Sequence, residues 1–89
     1  MKRDDTFDKF IYQALGEKIL AFRKDSGRTY DEVAYLLDLS PNTYYRYEIG
    51  DRKMPITVFK KLCVLYKVDM ATTLKEVYDD ALQIMTGNK

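Results

Sequence analysis

Apolar residues recur at three- and four-residue spacing along most of this chain, and that pattern predicts an all-α fold. The first stripe runs almost unbroken and predicts a long helix over residues 7–25. Residues 1–6 precede it, are polar in character and are expected to be flexible. Later stripes predict four more helices, which lie after Thr29, from Pro41, over residues 57–67, and from Asp69 to the stop at Gly87.

Residues with capping chemistry precede the two short helices. Ser40 can accept hydrogen bonds from free backbone N–H groups, and Pro41 fits the first helical position because its missing donor costs nothing there. Thr29, with Glu32 three residues later, forms the pattern of a capping box. Only residues 38–39 separate the first short helix from its successor, so the two must turn sharply against each other. This spacing is typical of a helix-turn-helix.

The second short helix has two chemically different faces. Helical spacing groups Tyr44, Tyr47 and Glu48 on a face suited to packing. The other face carries groups that can hydrogen-bond to base edges and phosphates. Its members are Asn42, Tyr45, Arg46 and Ile49. Taken alone, this second face is more simply interpreted as ordinary solvated surface, and the residues before Ser40 change that balance.

Residues 29–55 resemble the DNA-binding domain of the phage repressor and Cro type, the Xre family. The residues that match its motif are Thr29, Val33-Ala34, Leu39-Ser40, Tyr47-Glu48, Gly50, Arg52-Lys53 and Pro55. Further matches outside the motif are Gly16, Arg23, Phe59, Leu62 and Val68. The chain departs from the family at Tyr30, where Gln is frequent, and at Asp38, where the turn usually has Gly. Asp tolerates a left-handed turn better than most residues do.

The resemblance spans roughly residues 15–74 and implies a five-helix repressor-like bundle. Residues 7–74 would form the helix-turn-helix DNA-binding domain, with an extended N-terminal helix. Residues 75–89 would add a further C-terminal helix, which is a candidate dimerisation element. In the family, the positions of Arg23 and Glu48 commonly form a buried or half-buried ion pair, so the resemblance implies a structural role for both. The alternative is two independent surface charges.

The resemblance also implies how double-stranded DNA would be bound. The helix over residues 41–48 would enter the major groove, with Asn42 and Arg46 as chief readers of base edges and with Thr43 and Tyr45 in secondary contacts. Amides pair well with adenine, and guanidinium groups pair well with guanine. The residues expected to hold the DNA backbone are Arg28, Tyr30, Ser40, Arg52 and Lys53.

Net charge moderates this expectation. Fifteen basic and fourteen acidic side chains give only +1. The bias lies in the expected place, because residues 22–61 hold eight basic and six acidic side chains, or +2, whereas residues 62–89 hold three and four, or −1. We therefore expect modest non-specific affinity that is sensitive to salt, with specificity coming from base contacts and dimerisation.

The chain offers little catalytic chemistry. It has no histidine, one cysteine and no glycine-rich phosphate loop, so we expect no enzymatic activity, no metal, no cofactor and no small-molecule substrate. Cys63 lies among apolar residues and is expected to be a core thiol. No apolar run is long enough to cross a membrane, and no apolar signal core follows the N-terminus. These features favour a cytoplasmic protein.

Two functions remain open from sequence. The first is a transcriptional regulator, most simply a repressor of phage or mobile-element origin, that binds an inverted repeat as a homodimer. The apolar stripe of the last helix would then pair with its copy, or it could fold back on residues 7–11 instead. The alternative is a helix-turn-helix module that acts mainly by binding protein, as an antitoxin-like protein or a phage-encoded antagonist does. Five of the eight tyrosines lie between residues 30 and 47, which suits either interface.

Overall fold

The computed structural model describes residues 6–87, and these form five α-helices without a strand among them. The helices are α1 (Thr6–Ser26), α2 (Tyr30–Leu36), α3 (Pro41–Glu48), α4 (Ile56–Tyr66) and α5 (Met70–Thr86). The predicted all-α fold is confirmed. Residues 1–5, which belong to the segment predicted to be flexible, lie outside the described residues. The boundary drawn between residues 74 and 75 falls inside α5, which is continuous.

Side-chain caps fix where three of the helices begin. Thr29 and Glu32 form the predicted capping box, in which the Thr29 N–H donates to Glu32 Oε1 at 2.7 Å and the Glu32 N–H donates to Thr29 Oγ1 at 3.2 Å. Ser40 and Asp69 cap α3 and α5, each accepting from the backbone N–H three residues along. These short-range bonds satisfy donors that a helix start otherwise leaves free.

Two non-glycine residues take the left-handed conformation that ends a helix or turns the chain. Asp38 has φ of 58° in the α2–α3 turn, which agrees with its predicted tolerance of that conformation. Lys67 also has φ of 58° and is the C-cap of α4, which ends at Tyr66, one residue before the predicted end at residue 67. The reversal lets the Val68 N–H donate to the Cys63 carbonyl at 3.0 Å and brings Val68 against the core.

The core contains residues from every helix, and its largest fully buried side chains are Tyr44, Ile19, Leu62, Val33 and Val77. Cys63 is also buried, as predicted, and burial raises the pKa of its thiol. A close backbone approach at Gly16 of α1 fixes the position of α3. A Cβ at this position would lie 2.6 Å from the Tyr47 carbonyl oxygen, which is nearer than atoms can pack. Gly16 therefore lets α3 lie directly on the backbone of α1.

The last helix folds back along the first. Val77 and Ala81 of α5 are fully buried, and the Phe7 ring meets the Tyr78 ring edge to face at 5.6 Å. Phe10 and Ile11 are partly buried against the same core, so the early turns of α1 pack on α5. Nearby, Lys18 lies 3.4 Å from Glu76 and 3.5 Å from Asp80 in ion pairs between the two helices. This intramolecular packing leaves another stripe of α5 exposed.

Candidate nucleic-acid interface

Helices α2 and α3 form one rigid unit. Val33 and Ala34 of α2 are fully buried, and the Leu39 N–H in the turn donates to the Ala34 carbonyl at 2.9 Å. The absence of a side chain beyond Cβ at Ala34 lets the turn close over this position. The orientation of α3 at the surface is therefore fixed by the buried face of α2 and by Gly16 of α1.

The two faces of α3 separate as the helical spacing predicts. Tyr44, Tyr47 and Glu48 are buried, with exposed fractions of 0%, 5% and 6%. Asn42 and Tyr45 are exposed, whereas Thr43 and Arg46 are half-buried. The polar groups of α3 thus face solvent on a helix whose opposite side belongs to the core.

Two hydroxyls at the start of α3 are already engaged in the cap. Ser40 Oγ accepts from the Thr43 N–H at 3.1 Å and donates to Thr43 Oγ1 at 2.9 Å. The Ser40 hydroxyl proton therefore takes part in a hydrogen bond within the chain. Thr43 can still turn its own hydroxyl proton outward, because its oxygen is the acceptor in this bond.

Arg46 has an intramolecular partner that sequence reasoning missed. Its Nη1 donates to Asp51 Oδ2 at 2.7 Å, and the two side chains are 43% and 55% exposed. A guanidinium has five N–H donors, so one occupied donor leaves a free edge for another acceptor. The only sign of this contact in the sequence is Asp51, an acidic residue just beyond the end of α3. Its spacing from Arg46 does not show whether it forms an ion pair or is a solvated surface charge.

The Tyr30 ring contacts two side chains. Its ring centroid is 5.8 Å from that of Tyr45 on α3, and the Arg23 Cζ atom lies 5.8 Å from the same ring. Such an arrangement suits a cation–π contact on Arg23 and a tilted aromatic pair with Tyr45. The Tyr30 ring therefore links the core-facing arginine to the exposed face of α3.

Arg23 and Glu48 form a two-point ion pair beneath α3. Arg23 Nε donates to Glu48 Oε2 at 2.6 Å and Nη2 donates to Oε1 at 3.1 Å, while Nη1 donates to the Arg28 carbonyl at 3.0 Å. The two side chains are only 14% and 4% exposed. The hydrogen bonds that Arg23 donates to Glu48, together with the charge of that carboxylate, raise the pKa of Arg23 against the opposing effect of burial. One guanidinium thus joins α1, the α1–α2 turn and α3.

Two phenols lie close to this ion pair. The hydroxyls of Tyr44 and Tyr66 are buried, and neither has a hydrogen bond of good geometry within residues 6–87. Burial, followed by the proximity of Glu48, raises the pKa of Tyr44 well above its usual range. Burial likewise raises the pKa of Tyr66. Both phenols are therefore neutral and belong to the core under α3.

The basic residues expected to hold the DNA backbone lie on segments that flank α3. Arg52 and Lys53 are exposed in the loop over residues 51–55, and neither forms an ion pair within the described part of the chain. Arg28 is half-buried in the turn before α2. Exposed cations without a carboxylate partner can pair with an external anion such as a phosphate.

The residues that the structure describes contain no group of three or more His, Cys, Asp or Glu side chains able to hold a metal ion. In the same residues, no helix combines the length and the apolar character needed to cross a membrane.

Comparison with known families identifies this arrangement. A model of the family described as "Helix-turn-helix domain" matches residues 14–75, which is more than half of the chain. The chain belongs to the helix-turn-helix domain family. The match begins in α1, contains the whole α2–α3 unit and ends in α5, so the predicted helix-turn-helix DNA-binding domain is confirmed. No curated protein and no solved structure matches the chain.

Proposed function

We propose that this helix-turn-helix domain is a sequence-specific transcriptional regulator of the phage repressor and Cro type. The observation that carries the proposal is the sidedness of α3, whose buried face is anchored on α1 while its opposite face presents an amide, a phenol and a guanidinium to solvent. A rigid helix with such a face fits the major groove, which is wide enough to admit it.

Asn42 and Arg46 are the chief base readers in this proposal. Asn42 is exposed in the first turn of α3, where recognition helices approach the base edges most closely, and its amide can pair with adenine. Arg46 lies one turn later, and the Asp51 carboxylate holds one of its donors at 2.7 Å. That contact orients the free edge of the guanidinium for a guanine. Thr43 and Tyr45 add secondary contacts.

Residues around α3 hold the phosphate backbone. Arg52 and Lys53 lie in the following loop and Arg28 in the preceding turn, while Tyr30 and Ser40 stand at the starts of α2 and α3. To donate to a phosphate, Ser40 would have to turn its proton away from Thr43 Oγ1. Only two of these five, Arg52 and Lys53, are exposed cations, in keeping with the net charge of +1. Few phosphate contacts give modest non-specific affinity and leave specificity to the bases.

We further propose that the protein binds as a homodimer through α5. Leu74, Tyr78 and Met85 are 46%, 48% and 43% exposed, and their spacing places them along one stripe of that helix. The stripe borders the face that packs on α1, and Tyr78 also contacts Phe7 of α1 through one edge of its ring. Pairing with a second copy would bury the exposed parts of these side chains without unfolding the chain. One recognition helix contacts too few base pairs for specific binding, whereas two related by a two-fold axis read an inverted repeat. As a repressor, the dimer would act by occupying its operator.

Selection of bound sites from a randomised duplex pool tests the proposal. We expect an inverted repeat whose half-sites lie about 10 base pairs apart, one helical turn of DNA. The Leu74→Lys variant should sediment as a monomer. It would then occupy one half-site at a time and bind the inverted repeat more weakly than the parent protein. Recovery of no motif from the parent protein would contradict the regulator, whereas a motif without two-fold symmetry would contradict the dimer.

A further inference from the structure

A groove lies between α2 and α4, away from the residues assigned to DNA. Its volume is about 570 Å³, which falls in the range of about 300–1,000 Å³ that ligand pockets occupy. The lining residues are Leu36, Leu37, Thr57, Lys60, Lys61, Val64 and Leu65. None of them belongs to α3 or to the loop that follows it.

The floor and walls of the groove expose aliphatic side chains. Leu36 is 55% exposed and Val64 is 70% exposed. Single exposed apolar residues are ordinary, but a continuous patch with a polar rim marks an interaction surface. The aliphatic groups face one another across the space between two helices, which is the shape that a third helix fills.

The charge on the rim has one sign. Lys60 and Lys61 line the groove, and no acidic side chain lines it. Neither lysine forms an ion pair within residues 6–87, although Arg46 and Lys75 on other exposed surfaces do. Two free ammonium groups beside an apolar floor complement a ligand that carries carboxylates beside apolar side chains.

We propose that the α2–α4 groove binds an acidic amphipathic helix of a partner protein. Apolar residues of that helix at positions i, i+3, i+4 and i+7 would enter the groove, and flanking Asp or Glu side chains would meet Lys60 and Lys61. Because the lining residues are separate from Asn42 and Arg46, the partner would bind while α3 remains free for DNA. The chain would thus carry a protein-binding surface in addition to its DNA-binding face.

A pair of synthetic peptides tests this surface on the full-length protein. The first is an amphipathic helix of about 20 residues, long enough to fold when bound, with Leu at the four contact positions and Glu beside them. The second has Lys in place of every Glu. Chemical shifts of ¹⁵N-labelled protein should move at residues 36, 60, 61 and 64. The acidic peptide should bind about tenfold more tightly than the basic one, since two exposed ion pairs are replaced by repulsion.

Two variants at exposed aliphatic positions of α4 separate the groove from its surroundings. Val64→Ser should weaken binding of the acidic peptide, whereas Ile56→Ser, which is 61% exposed but does not line the groove, should not. Unchanged melting temperatures would show that both variants fold. The proposal is overturned if the acidic and basic peptides bind the parent protein equally, if neither binds, or if the chemical-shift changes map to another helix. It also fails if Lys60→Glu/Lys61→Glu weakens duplex binding while leaving peptide binding intact, because the lysines would then serve phosphates.

Discussion

Removal of the Glu48 carboxylate tests whether the ion pair beneath α3 holds this helix in place. In Glu48→Ala, the Arg23 guanidinium loses both carboxylate contacts, at 2.6 and 3.1 Å, and keeps its bond to the Arg28 carbonyl and its contact with the Tyr30 ring. Arg23 is 14% exposed, so solvent replaces the lost partner incompletely. An incompletely hydrated charge then remains under α3.

The expected cost follows from this geometry. Breaking a buried pair by removing one partner costs about 3–5 kcal/mol. The surviving bond to Arg28 and the residual exposure of Arg23 place this case at the lower end, at about 3 kcal/mol. In a domain of this size each kcal/mol lowers the melting temperature by about 4–8 °C. We therefore expect a decrease of roughly 12–24 °C.

Thermal unfolding followed by far-ultraviolet circular dichroism measures the change. Asp79→Ala is the matched control, because it removes a carboxylate from the exposed Lys75–Asp79 pair, which is 78% and 53% exposed, and should change the free energy of unfolding by less than about 0.5 kcal/mol. Glu48→Gln, which keeps an acceptor but loses the charge, should fall between the two. A Glu48→Ala melting temperature within a few degrees of the parent would refute the assigned role of the pair.

Three further predictions concern single positions. Gly16→Ala should destabilise the protein by about 1–3 kcal/mol or more in chemical denaturation, because a Cβ at this position would collide with the backbone of α3. The same change in an ordinary helix is stabilising. A stabilised variant would contradict the close approach of α1 and α3. The backbone N–H of Thr72 lowers the pKa of Asp69, so this carboxylate contributes stability above its unfolded pKa, and that contribution is lost as pH falls through the lowered value. Asp69→Asn should therefore show a smaller loss of melting temperature between pH 7 and pH 3, and an unchanged loss would argue against the cap. Tyr30→Leu should weaken specific DNA binding more than Tyr30→Phe, because Phe keeps the ring against Tyr45; equal effects would assign Tyr30 a hydroxyl contact alone.

The features that sequence anticipated best are those that depend on nearby residues. The capping box of Thr29 and the caps at Ser40 and Asp69 each join groups three residues apart, and helical geometry determines whether such groups meet. The burial of Tyr44 and Glu48 on one face of α3 followed from the 3.6-residue repeat in the same way. Local spacing was sufficient in all of these cases.

Contacts between elements were harder to anticipate. The partner of Arg46 is Asp51, which lies beyond the end of α3, so its position depends on the path of the following loop. The packing of Tyr30 on Tyr45 depends on the crossing of α2 and α3 and on side-chain rotamers, which periodicity does not specify. The resemblance supplied the pairing of Arg23 with Glu48 because family motifs carry long-range contacts that a single pattern of apolar residues lacks.

The most direct measurement of the central proposal, that α3 reads bases, is a titration of base-substituted duplexes with the parent protein and with Arg46→Ala. The duplexes carry the site recovered by selection, with each base pair replaced in turn. The proposal predicts that Arg46→Ala loses about 1–3 kcal/mol on the best site and loses discrimination at one position, while the preferences elsewhere persist. Equal losses on every duplex, with all preferences retained, would contradict it and reduce Arg46 to a phosphate contact.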